Sequence, residues 1–85
     1  MMGKMQQFHR QGNVLSVLPI VELVGQGRLL IENHQGVLSY APNEIAIKVS
    51  YGRVIVTGKD LQLMEMSRVK LAICGRIDGL QILGR

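Results

Sequence analysis

The chain has 85 residues, enough for one domain and too few for two. Ten Lys and Arg against six Asp and Glu give a net charge of +4, which invites a nucleic-acid or membrane-surface reading. Cys74 is the single cysteine, so an internal disulfide and a cysteine-based zinc site are excluded, and one Phe with two Tyr leaves few rings for stacking bases.

Residues 1–17 form a polar, basic leader with Lys4, His9 and Arg10. Met1, Met5 and Phe8 recur at helical spacing, so the leader reads as mobile or as a short helix that needs something to pack on. It lacks the apolar core of a signal peptide. The apolar run 14–24 is broken by Ser16, Pro19 and Glu22 and is too short to cross a bilayer as a helix. A cytoplasmic protein is expected, at most peripheral to a membrane.

From Pro19 the chain becomes rich in β-branched residues, punctuated by Gly or Asn. Ile20–Val24 reads as a strand ending at Gly25-Gln26-Gly27. Arg28–Glu32 is the next, and Asn33-His34-Gln35-Gly36 reads as a hairpin turn into Val37–Tyr40. Pro42 cannot donate to a ladder and belongs in a loop or at an edge. Glu44–Ser50 is the clearest strand, with Ile45, Ile47 and Val49 on one face. Tyr51-Gly52, Gly58-Lys59-Asp60, Ser67-Arg68 and Gly75-Arg76 read as turns separating Arg53–Thr57, Leu61–Met66, Val69–Cys74 and Ile77–Leu83.

Residues 18–85 are therefore expected to form one all-β domain, a small antiparallel β-sandwich or barrel of seven or eight short strands. Several strands are apolar on both faces, as Ile55 opposes Val54 and Val56. Such strands are central, or their second face meets another chain. Val54–Lys59 also echoes Leu71–Arg76, which leaves a small β-solenoid open.

No constellation of residues points to catalysis, a metal or a cofactor, so none is expected. His34 has no second His or Cys nearby and reads as part of a turn; His9 has no obvious partner. Cys74 sits in a strand as a small filler, and the six carboxylates are scattered. The cations are scattered as well, which favours solvated strand faces over a basic patch.

Beside these patterns stand particular residues: Leu18-Pro19, Val24-Gly25, and Leu30-Ile31-Glu32-Asn33-His34-Gln35-Gly36-Val37. They are followed by Ile45–Ser50, Gly52, Val54-Ile55-Val56-Thr57-Gly58 and Gly75–Gly79. With these the chain resembles the YabP/YqfC family of sporulation proteins, the YqfC branch most of all. The resemblance runs from about Leu18 onward and rests chiefly on Ile31–Gly36. It implies an immunoglobulin-like or related sandwich, a role in endospore formation, and no catalytic residues. It makes Glu32, Asn33, His34, Gly36, Gly52, Gly58 and Gly75 the family's structural motif. It also implies a protein partner, such as a membrane-associated sporulation protein.

The leading functional reading is an assembly or adaptor domain that binds a protein through a sheet edge or an apolar face. A second copy of the chain is a further candidate partner. Glu44–Ser50 and Ile77–Leu83 are the expected contact strands, with Ile47, Val49 and Ile82 touching the partner. The alternative is a basic module that binds nucleic acid or anionic lipid through Arg28, Arg53 and Arg76, each beside a turn. At the Asn33–Gly36 turn, Gly36→Val is expected to harm folding far more than His34→Gln.

Overall fold

A computed structural model describes residues 18–84. The leader, with its expected helix at Met1, Met5 and Phe8, lies outside the described residues. The described chain is all β. Its six strands are β1 (Ile20–Val24), β2 (Arg28–Glu32), β3 (Val37–Ala41), β4 (Glu44–Val49), β5 (Gly52–Met66) and β6 (Lys70–Gly84). They form one antiparallel sheet in the order β1-β2-β6-β5-β4-β3.

Two expectations change here. The strands number six because Gly58-Lys59-Asp60 and Gly75-Arg76 do not turn the chain. They lie inside β5 and β6, each 15 residues long. And β2 does not form a hairpin with β3. The two lie far apart in the sheet, and residues 33–36 carry the chain from one side of it to the other.

The long β5–β6 hairpin is folded back on itself. A straight strand of 15 residues would span about 50 Å. Yet the Asn33 N–H donates to the Val69 carbonyl at one end of the hairpin, and the Gln35 N–H donates to the Lys48 carbonyl, 2.7 Å away, at the other. Lys48 is in register with Arg53 near the start of β5. Asn33 to Gln35 spans at most about 7 Å, so both ends of the hairpin meet at this short segment. The fold is therefore a single sheet bent over its own core, not two sheets of short strands, and not a solenoid.

The bend is built from bulges and glycines. The β5–β6 register shifts between Thr57 and Gly58, between Lys59 and Gln62, and between Leu63 and Glu65. Each shift raises local twist and re-aims the strand. Asp60 takes the left-handed conformation, φ 52°, which Asp tolerates better than most side chains. Gly58 lies so close to β6 that a Cβ there would run into the Arg76 carbonyl oxygen. Gly75 has φ 131°, and a Cβ on it would sit 2.5 Å from the Asp60 carbonyl oxygen. The echo between Val54–Lys59 and Leu71–Arg76 thus marks the two strands where they bend together.

Register explains the core. Residues directly opposite across strands share a face. Leu29, Ile73 and Leu63 form one row, and Ile31 stands opposite Leu71. Ile45, Val56 and Leu80 form a row in the other half of the sheet, and Ile47, Val54 and Ile82 form the next. Leu29, Ile31, Ile45, Ile47, Val54, Val56 and Ile73 are wholly buried in one cluster between the halves. The two halves of one face therefore cover each other, while Met64, Leu80 and Ile82 stay exposed.

Candidate functional site

The Asn33–Gly36 motif forms a corner. Asn33 has φ 65°, and its Nδ2 donates to the Leu18 carbonyl at 2.9 Å, tying the entry of β1 to the end of β2. The Lys48 N–H donates to the Gly36 carbonyl at 2.8 Å, which starts the pairing of β3 with β4. His34 is 7% exposed. Its Nδ1 accepts the Gly36 N–H at 3.0 Å, and its Nε2 lies 3.0 Å from the Ser67 carbonyl oxygen. An accepting Nδ1 places the ring proton on Nε2, which donates to Ser67. The imidazole thus staples the corner to the β5–β6 turn through two backbone groups.

Sequence reasoning gave His34 no companions because its companions are backbone atoms. The expected contrast between Gly36 and His34 narrows accordingly. Gly36 has φ 121°, which strains any side chain, but a Cβ there would meet open space. His34→Ala would leave a Gly36 N–H and a Ser67 carbonyl without their partner in a nearly dry corner. A loss of about 2–4 kcal/mol is expected, read by urea unfolding of the variant beside the wild type.

Among the other motif residues, Glu32 is half-buried and in register with Lys70 on β6 and Ile20 on β1. Gly52 is where β5 leaves the β4 turn, and a Cβ there would strike the Leu83 carbonyl oxygen. Gly58 and Gly75 hold the bend. Gly52, Gly58 and Gly75 thus position the chain, while Glu32 lies in a groove.

The charged groups do not converge on one sign. A groove of about 510 Å³ crosses the outer face of β2, β6 and β5, lined by Arg28, Lys70, Glu32 and Glu65 with Leu30 and Met66. Two cations and two carboxylates leave it no bias toward an anion. Arg76 pairs with Asp78 at 3.1 Å, both exposed, which contributes at most about 1 kcal/mol. The exception is Arg53, which stands opposite Lys48, the two cations lining a shallow hollow of about 220 Å³ with Leu38 and Gly84. Among the described residues, no three His, Cys, Asp or Glu side chains gather as a metal site would require. Cys74 is half-buried, opposite Arg28 on one side and Gln62 on the other.

The three expected contact residues part company. Ile47 and Val49 are wholly buried. Their strand, β4, lies between β3 and β5 and offers no free edge. They are core residues, because the bend brings the other half of the sheet over them. Ile82 is 52% exposed and Leu80 38% exposed. Both end rows that are buried on β4 and β5, so the core surface continues onto β6 and comes out into solvent.

This exposure has a topological cause. β2 is 5 residues long and β6 is 15. β2 pairs with β6 only as far as Cys74, and the adjoining loop adds bonds from the Gly75 and Ile77 N–H groups to the Gly27 and Gln26 carbonyls. From Asp78 to Gly84, β6 has β5 on one side and no strand on the other, among the described residues. The structure thus brings an open edge and two exposed apolar side chains together on one segment.

The YabP family profile matches residues 19–85. A Bacillus subtilis (strain 168) relative, an uncharacterized protein named YqfC, is 30% identical over 66 residues, covering 78% of this chain and 71% of the relative. No solved structure matches the chain.

Proposed function

This chain belongs to the YabP family, and from that premise we propose that it is a non-enzymatic assembly domain of endospore formation. It acts by holding a protein partner along the open edge of β6. The setting comes from the sporulation family that the chain resembles. The mode of action rests on one observation: along one side of Asp78–Gly84 no strand pairs among the described residues, and Leu80 and Ile82 beside it are exposed although their rows are core elsewhere. An added strand would pair along that side and cover both side chains, which is the usual economy of β-augmentation. The protein would act in the cytoplasm, beside a membrane-associated sporulation protein. No helix among the described residues is long and apolar enough to cross a membrane.

The test replaces the natural chain by Ile82→Lys in a spore-forming host. Heat-resistant spores are expected to fall to a small fraction of the wild-type count while the protein still accumulates. Normal spore counts from a folded Ile82→Lys protein would remove this edge as the working surface.

A further inference from the structure

We infer that the protein seated on the β6 edge is a second copy of this chain, paired antiparallel about a two-fold axis at Gln81. This rests on the reading of that edge as the binding surface and names its occupant.

The sheet's other edges are blunted. β1 exposes Ile20, Leu23 and Val24, but it is 5 residues long, directly follows Pro19 and carries Glu22 at its centre. β3 is also 5 residues long, has a register shift between Val37 and Ser39, and ends at Pro42. The far half of β5 is bulged between Leu63 and Glu65, and the Tyr40 hydroxyl accepts its Leu63 N–H at 3.3 Å. Bulges, prolines, charges and short length are the devices that keep edges from pairing. On β6 the bulge falls at Asp78, between the Thr57–Gly79 and Gly58–Ile77 pairs, and Asp78 is engaged by Arg76; from Gly79 to Gly84 the ladder with β5 is unbroken, with no charge and no proline. Among the described residues, Gly79–Gly84 is the longest regular edge free of charge, proline and bulge, and such an edge suits pairing.

The strand is also complementary to itself. With Gln81 opposite Gln81 of the other copy, Leu80 faces Ile82 and Ile82 faces Leu80, on the face that is core elsewhere. Gly79 faces Leu83. No charge lies between Gly79 and Leu83, so no like charges oppose each other across the axis. Moving the axis one residue back, to Leu80, would set Asp78 against Ile82. A two-fold axis also closes the assembly, because each copy contributes the same strand.

The experiment uses the full chain. Sedimentation equilibrium is expected to show a dimer with a Kd on the order of 10 μM, as suits a small interface. Ile82→Lys should be monomeric, and it should melt with the wild type when both are measured well below the dimer Kd, where no association adds to stability. In a Cys74→Ser background, Gln81→Cys should form a disulfide-linked dimer under mild oxidation. Opposed residues in an antiparallel pair lie about 4.5–5.5 Å apart, within disulfide reach. Asp78→Cys should not cross-link, because its two copies would lie about 20 Å apart along the strands.

A monomer at all concentrations overturns the inference, as does a dimer that ignores Ile82→Lys or cross-links through Asp78→Cys. So does a monomer whose Gly79–Leu83 amides all resist hydrogen exchange, because another segment of the chain would then cover the edge. Failure of the functional reading looks different. A dimer that cross-links at Gln81→Cys while Ile82→Lys sporulates normally keeps the pairing and removes the role. A monomer that still needs Ile82 for spores keeps the role and removes the second copy.

Discussion

Gly58→Ala is expected to cost about 4 kcal/mol or more, a large part of the total stability of a domain this size, which is about 4–12 kcal/mol. The added methyl group meets the Arg76 carbonyl oxygen, which belongs to backbone and not to a flexible side chain. Relief requires β5 and β6 to separate at the bend. Separation there pulls the two halves of the sheet off the core that they share. Gly27→Ala is the control, since a Cβ there has no neighbour nearer than the Gly75 carbonyl oxygen at 3.5 Å. It should change stability by no more than about 1 kcal/mol. Both variants are compared by thermal melting, where each kcal/mol moves the midpoint by roughly 4–8 °C. Equal melting temperatures for the two would mean that the strands do not approach so closely at Gly58.

Ile47→Lys is expected to unfold the domain, whereas Ile82→Lys leaves it folded. The two residues belong to the same cross-strand row, Val37–Ile47–Val54–Ile82, Ile47 inside it and Ile82 at its end. Their exposure is 0% and 52%. At position 47 an ammonium would enter the core without a partner. It would either stay charged in a dry site or lose its proton, and the burial of Ile would be lost as well. Together these cost about 5 kcal/mol or more. At position 82 the head group reaches water, and a change within about 0.5–1 kcal/mol is expected. Circular dichroism of both purified proteins decides the matter. A folded Ile47→Lys protein would show that β4 is not covered by the other half of the sheet.

The all-β class, the starts of the first four strands and the family motif are legible because alternation and Gly/Asn punctuation are local signals. The bend is not. Glycine serves a turn and a close strand approach equally well, so Gly58 and Gly75 read as turns. One clue did lie in the sequence: the apolar alternation runs on even positions at Val54 and Val56 and on odd positions at Leu61 and Leu63, and the structure turns these four toward the core, Leu63 only in part. That phase switch across Thr57-Gly58-Lys59-Asp60 is the mark of a bulge, since one extra residue exchanges the faces. Ile47 and Val49 were misassigned for a related reason. Alternation shows that a face is apolar, but whether the same chain covers it depends on long-range folding.

The edge was half legible. Ile82 was singled out from its apolar strand, but its exposure follows from the unequal lengths of β2 and β6. Those lengths emerge only once the expected turns prove to be bends. His34 shows the same limit, because hydrogen bonds to backbone atoms 2 and 33 residues away leave no residue-type signature.

The central claim is that the chain works through the β6 edge, and a matched pair of variants tests it most directly. Ile20 on β1 and Ile82 on β6 are 53% and 52% exposed, so Lys at either position changes the surface equally. The measurement is the heat-resistant spore count of a host carrying each variant, with melting of the purified proteins confirming that both fold. The expected result is two stable proteins, of which only Ile82→Lys fails to support spore formation. Equal spore counts, or a defect confined to Ile20→Lys, would contradict it.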